Sequence, residues 1–185
     1  MSSRYKIHSQ EYAYFVTFTV IDWMDVFIRN EYRQVILESL SFCQKHKGLN
    51  VHAWCLMTSH IHLIISSSGF MPLEGIVRDT KAYTSRRIHE ILEENEGGFE
   101  SRRSWMLQKM EYLGKRNSSN KGFQFWQQNY HAILLDNPLW LDQKLDYIHN
   151  NPVEAGFVNN PIDWKYSSAI DYYSDEKGLL DLKLI

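Results

Sequence analysis

Met57-Thr58-Ser59-His60-Ile61-His62-Leu63-Ile64-Ile65 (residues 57–65) alternates polar and apolar side chains and is rich in β-branched types, which is the pattern of a strand. Residues two apart on a strand share a face, so His60 and His62 project side by side, about 7 Å apart along the strand. Ile61, Leu63 and Ile65 line the opposite face and must meet a core. Two imidazoles at a fixed spacing suit a divalent metal, because neutral ring nitrogens are common ligands and the backbone holds their separation. The same spacing fits two partly buried polar residues on the wetter side of a sheet, and the His-x-His pattern alone leaves both readings open.

Working outward, Asn50 to Met57 reads as a partner strand, with Thr58 and Ser59 as the tight turn of a hairpin. Upstream, Tyr12 to Val20 is an aromatic and β-branched run, apolar on both faces, which predicts a central strand. From Asn30 to Lys47 the residues Tyr32, Val35, Ile36, Ser39, Leu40 and Cys43 recur at three and four, an amphipathic helix that Gly48 is placed to stop. A second helix is predicted from Leu73 to Glu93 on Ile76, Val77, Tyr83, Ile88, Ile91 and Leu92. Its other side carries Arg78, Lys81, Arg86 and Arg87. Turn chemistry at 94–98 and 117–122 brackets a third helix from Ser101 to Lys115, with Trp105, Met106, Met110 and Leu113 on one side. Residues 94–122 therefore read as a helical and loop insertion, and Phe123 to Leu135 returns to a strand-like pattern.

Bulk properties limit the function classes. The chain has 185 residues, 44% hydrophobic and 23% charged, which suits one globular domain with its own core. A formal net charge of −2 does not mark a nucleic-acid binder, so such a reading must rest on local clusters. One cluster exists: Arg102, Arg103, Lys109, Lys115, Arg116 and Lys121 face only Glu111, a local balance of +5. A solvated helix face and a phosphate-backbone track both fit it. Cys43 and Cys55 sit in apolar patterns and read as buried thiols of a reducing compartment. No apolar run approaches a membrane span and the first residues lack a signal core, so the expectation is a cytoplasmic protein.

The second informative stretch runs from Asp136-Asn137-Pro138 to Asn151-Pro152. Asn137 is a good N-cap and Pro138 fits the first helical position; Leu141, Leu145 and Ile148 form the buried stripe. Pro152 disfavours helical geometry at Asn151, so the helix is expected to end there, with Asn151-Pro152-Val153-Glu154 opening a fresh capping box and Gly156 closing it. Tyr147 and Asn151 fall one turn apart on the same flank, which presents a phenol and a carboxamide together. A half-buried Tyr under a turn-capping Asn is the alternative reading. His149, two residues from Tyr147, points away from that side and suits packing or support of the site; His131 lies in a strand-like stretch. His52 reaches the site only if the strand register allows.

Together, Trp54-Cys55-Leu56-Met57-Thr58-Ser59-His60-Ile61-His62-Leu63-Ile64, then Phe125-Trp126-Gln127, then Asp146-Tyr147-Ile148-His149-Asn150-Asn151-Pro152-Val153-Glu154-Ala155-Gly156 resembles the single-tyrosine HUH transposases, closest to the REP-associated tyrosine transposases. The likeness extends to Asp163-Trp164-Lys165-Tyr166-Ser167-Ser168. One departure is Met57-Thr58-Ser59-His60, where the family commonly has Met-Pro-Asn-His; it changes the turn and spares both histidines.

The resemblance implies a metal site of His60, His62 and Asn151 holding Mg²⁺ or Mn²⁺, with Tyr147 as nucleophile. It also implies an α+β single domain over 1–185, with a central antiparallel sheet of ferredoxin-like or RRM-like type carrying helices. The activity implied is nicking and rejoining of single-stranded DNA through a 5′-phosphotyrosine, next to a DNA hairpin, by a monomer or homodimer. Backbone contacts are expected from Arg78, Lys81, Arg86, Arg87, Lys115 and Arg116, and base stacking on an exposed Trp126. Two other readings stay open: a domesticated hairpin-binding protein that no longer cleaves, and a metal-dependent hydrolase using water.

Overall fold

A computed structural model describes residue 7 and residues 9–117, 122–128 and 130–185. Lys121, counted above in the basic cluster, lies outside the described residues, as does most of the turn at 117–122. Four strands, β1 (Ala13–Thr19), β2 (Leu49–Leu56), β3 (His60–Ser67) and β4 (Ile133–Leu135), form one sheet in the order β2-β3-β1-β4 with every neighbour antiparallel. This is the ferredoxin-like α+β arrangement expected from the sequence. The β2–β3 hairpin is closed by Met57 N–H donating to His60 O at 2.8 Å.

Side-chain alternation along the strands sends two sets of residues to two cores. Val16 and Phe18 of β1 join Ile61, Leu63 and Ile65 of β3 against α1 (Asn30–Lys47), α2 (Leu73–Glu94) and α3 (Arg103–Lys115). On the reverse face Phe15, Ala53, Cys55 and Ile64 pack against Ile148 of α4 (Pro138–Glu154). Tyr14, Phe15, Val16 and Phe18 are buried by hydrophobic partners on both faces, which is why β1 reads as apolar on both sides, while Ala13, Thr17 and Thr19 are half-buried. A short helix α5 (Ala169–Tyr173) follows α4.

Helix α1 begins and ends where its periodicity predicts, with Gly48 at φ 75° in the left-handed region that a C-cap requires. Several expectations need correction. Tyr83 and Trp105 are exposed, and Thr80 and Thr84 take the buried positions of α2, their hydroxyls donating to Ile76 O and Thr80 O within the helix. Among the described residues of the strand-like segment 123–135, only Ile133–Leu135 joins the sheet as a strand; others are tied by single contacts, such as Gln127 N–H to Thr19 O at 2.8 Å.

Helix α4 does not stop at Asn151. It runs through Pro152 to Glu154, and Gly156 at φ 75° ends the turn. Proline removes one helical hydrogen bond, but burial of the Pro152 ring offsets that loss and Asn151 O still accepts from Ala155 N–H at 3.0 Å. The expected second capping box is absent. Asn151 therefore stays in the helical frame, one turn beyond Tyr147 on the same flank.

Candidate functional site

Strand β3 presents His60 and His62 on the face that α4 covers, with ring centroids 4.7 Å apart. Asn137 caps α4, its side-chain oxygen accepting from Leu139 N–H at 2.9 Å, and Ile148 anchors the helix on the sheet. That docking brings the Tyr147 ring to 5.2 Å from His62, edge to face, while Tyr147 remains 39% exposed. The phenol is thus neither walled off nor remote.

His62 is 4% exposed, and burial, with the neighbouring His60 and Lys144, pushes its pKa down to about 3. It is a neutral imidazole near neutral pH. Its Nδ1 is 2.8 Å from Thr17 Oγ1, while Nε2 is buried without a hydrogen-bond partner among the described residues. With the proton on Nδ1 donated to Thr17, the lone pair of Nε2 points to a site that wants an electrophile. Burial also lowers the pKa of His60, against the opposing pull of a hydrogen bond that its ring N–H donates to the Asn151 amide oxygen and of the charge of Asp25. Among the described residues no three of His, Cys, Asp and Glu gather at one point; the polar side chain that reaches His60 is the Asn151 carboxamide. Two neutral imidazoles, one an orphan, and an amide oxygen fit a divalent ion that completes its shell with water or phosphate oxygens.

Three neighbours of the site escaped the sequence reading. Lys144, one turn before Tyr147, holds its ammonium 5.3 Å from the Tyr147 ring and 4.8 Å from Phe15. No carboxylate pairs with it among the described residues. Its spacing of three from Tyr147 was the available signal. Phe15 stacks on His62 at 5.5 Å and meets Tyr147 edge-on at 5.9 Å. Trp23 meets His60 edge-on at 5.3 Å and is 59% exposed. Asp22 and Trp23 both take positive φ, 55° and 54°, a conformation that costs about 1–2 kcal/mol per ordinary residue. Lys109 holds the pair in place through Asp22 at 2.6 Å, and Trp23 N–H donates to Val20 O at 3.0 Å.

The remaining histidines lie elsewhere. His52 sits at a bulge in β2, its ring nitrogens 2.6 Å from Lys183 O and 2.8 Å from Ser66 Oγ, away from the imidazole pair. His149 is fully buried on the far flank of α4, 2.8 Å from Ser168 Oγ and 3.2 Å from the Tyr173 hydroxyl. Ser168 also accepts from Trp54 N–H at 2.9 Å, so His149 links α4 to β2 rather than to the site.

Most of the predicted DNA contacts are not at the imidazoles. Helix α2 packs on the opposite sheet face, and its Arg78 pairs with Asp79, Arg86 with Glu90, and Arg87 with Glu90 and Glu94. Lys115 pairs with Glu111, and Arg116 lies over the Tyr112 ring. Lys81 donates to Gln127 O at 3.2 Å, and burial pushes its pKa down to about 8. Trp126 is only 6% exposed, its indole N–H donating to Thr84 Oγ1 at 3.0 Å, so it offers no open face for stacking.

The family profile described as "Transposase IS200 like" (Y1_Tnp) matches residues 9–108, more than half of the chain; the span includes both histidines and ends before Tyr147. Among solved structures, the chain is similar to "Structure of the REP associates tyrosine transposase bound to a REP hairpin". The identity is 17% and the TM-score 0.64, over 92% of this chain and 84% of that one, a likeness of fold. A crystal structure of a Deinococcus radiodurans R1 protein aligns at 15% identity and TM-score 0.45 over 81% of this chain and 96% of that one, too loosely to carry an argument. No curated protein matches the chain.

Proposed function

The chain belongs to the IS200-like transposase family, and from that premise we propose that it nicks and rejoins single-stranded DNA beside a hairpin, through a covalent 5′-phosphotyrosine on Tyr147. The observation that carries this reading is the meeting of the Tyr147 ring with His62 at 5.2 Å, beside an unpartnered ring nitrogen and the Asn151 amide. A solved structure of the same fold contains a REP hairpin, which supports hairpin DNA as partner. The family's chemistry is in general metal-dependent. Mg²⁺ or Mn²⁺ held by His60, His62 and Asn151 would polarise a phosphoryl oxygen and offset charge on the phosphate.

The chain's own residues do the rest. Tyr147 is 39% exposed on a helix anchored by Ile148, open to attack a phosphate lying over the imidazoles. Its phenol oxygen gives up its proton and forms a bond to phosphorus as the bond to the 3′-oxygen breaks, the 3′-oxygen takes a proton, and the phosphodiester energy is kept in the phosphotyrosine. A second 3′-hydroxyl reverses the step, so joining needs no nucleotide cofactor. Lys144 places an unpaired ammonium beside the phenol and steadies the charge that develops there. Arg78, Arg86, Arg87, Lys115 and Arg116 are proposed to hold flanking duplex away from the cut. The surface carboxylate partners of Arg78, Arg86, Arg87 and Lys115 contribute only about 0–1 kcal/mol each and give way to phosphate. The whole chain acts as one catalytic domain, with 94–122 as an insertion, on DNA in the cytoplasm.

Incubation with labelled single strands and Mn²⁺ or Mg²⁺, followed by denaturing electrophoresis, tests this. A protein–DNA adduct that disappears in Tyr147→Phe is expected. Cleavage without an adduct identifies a hydrolase, and tight hairpin binding without cleavage identifies a binding protein.

A further inference from the structure

Ring contacts run continuously across the site: Trp23 to His60 at 5.3 Å, His60 to His62 at 4.7 Å, and His62 to Phe15 at 5.5 Å. One end of this path is an exposed indole held at positive φ, a conformation a bulky residue seldom adopts without a reason outside its own packing. The other end opens into a cavity of about 410 Å³, of which Phe15, Thr17 and Thr19 form one side and Gln127, Gln128 and Tyr130 another. That volume lies within the roughly 300–1,000 Å³ of small-molecule sites.

The cavity exists because of how β4 pairs. Strand β4 reaches only Ala13 to Phe15, and Gln127 N–H bonds Thr19 O. Between those two anchors β1 has no strand partner on that side among the described residues. Thr17 and Thr19 are the register partners of His62 and His60, so the cavity begins one strand spacing, about 4.8 Å, from the imidazoles. Its two side-chain amides each offer a donor and an acceptor, the pattern that reads base edges. A Trp face stacks any base and discriminates little.

Resting on the transposition reading above, we propose that the two unpaired nucleobases flanking the cut phosphate are held apart, one stacked on Trp23 and the other in the Phe15–Gln128 cavity. The site is therefore sequence-selective on the cavity side and sequence-tolerant on the Trp23 side. The strand crosses the imidazole pair between them, which fixes the phosphate opposite Tyr147.

Adduct formation by the full chain with Mn²⁺ is measured on strands carrying each base, or an abasic site, at the two flanking positions. An abasic site on either flank is expected to slow the reaction about tenfold or more, while base identity matters on one flank only. Gln128→Ala removes the base preference on that flank. Trp23→Ala makes the abasic substitution on the other flank neutral, and Trp23→Phe restores its effect. Tolerance of abasic sites on both flanks, or both variants acting on the same flank, overturns the proposal. Emission of 2-aminopurine at each flank, read in Tyr147→Phe, reports base placement without cleavage. Flank-specific changes in emission with no adduct from the wild-type chain overturn the transposition reading and keep the track. An adduct with emission unaltered by Trp23→Ala and Gln128→Ala overturns the track and keeps the reading.

Discussion

Thr17→Val removes one hydroxyl and nearly nothing else, and it tests whether His62 is held as a metal ligand. Thr17 Oγ1 is 2.8 Å from His62 Nδ1, and Val keeps the shape and strand preference of β1. In the variant, Nδ1 of a ring only 4% exposed loses its partner, which costs about 1–3 kcal/mol of fold stability. Nothing then keeps the proton on Nδ1 and the lone pair on Nε2. Loss of such an outer partner typically weakens metal binding about 10–100-fold, and at about 1.4 kcal/mol per tenfold that is roughly 1.4–2.8 kcal/mol. Mn²⁺ titration calorimetry gives the affinity, urea unfolding without metal gives the stability, and Thr17→Ser is expected to restore both. Wild-type Mn²⁺ affinity in Thr17→Val, alongside a measurable loss of stability, would show that Thr17 only packs and that His62 is not oriented for a metal.

Other outcomes are equally specific. Lys144→Met is expected to slow adduct formation about 100-fold, as removal of a charge-stabilising donor does, with Mn²⁺ affinity intact and Lys144→Arg recovering most of the rate; equal rates in single-turnover assays exclude a role for its charge. Tyr147→Phe abolishes the adduct while changing stability by less than about 0.5 kcal/mol, since Tyr147 is an exposed residue; a larger loss in urea melts implies a structural hydroxyl. Burial pushes the His149 pKa down to about 4 from the ordinary 6.5, so between those values the unfolded chain binds the extra proton. Its contribution is whole above pH 6.5 and lost as pH falls towards 4, roughly 3 kcal/mol in all. Melts across that window, compared with His149→Gln, check this by the flattening of the slope.

Much of this protein was legible along the chain. The His60–His62 strand, the helix from Asn30 to Lys47 and the hairpin turn all follow from periodicity and from Gly48, signals that depend on neighbours three or four residues away. The segment 123–135 misled for the converse reason. Its aromatic residues fill a core from an irregular backbone, and apolar content alone cannot separate that from a strand. Pro152 misled because the packing that tolerates it inside α4 is a property of the helix's seat on the sheet.

The residues by themselves determined which chemistry is available: two imidazoles on one strand face, and a phenol and a carboxamide one turn apart on one helix. Only the tertiary structure decided that these two pairs meet, because the docking of α4 on Phe15, Ala53 and Ile64 is a long-range packing event that no local pattern encodes. The same packing decided what surrounds them. It buried Trp126, turned α2 and its arginines to the other face, and left Lys144, Trp23 and the opening beside β1 next to the imidazoles.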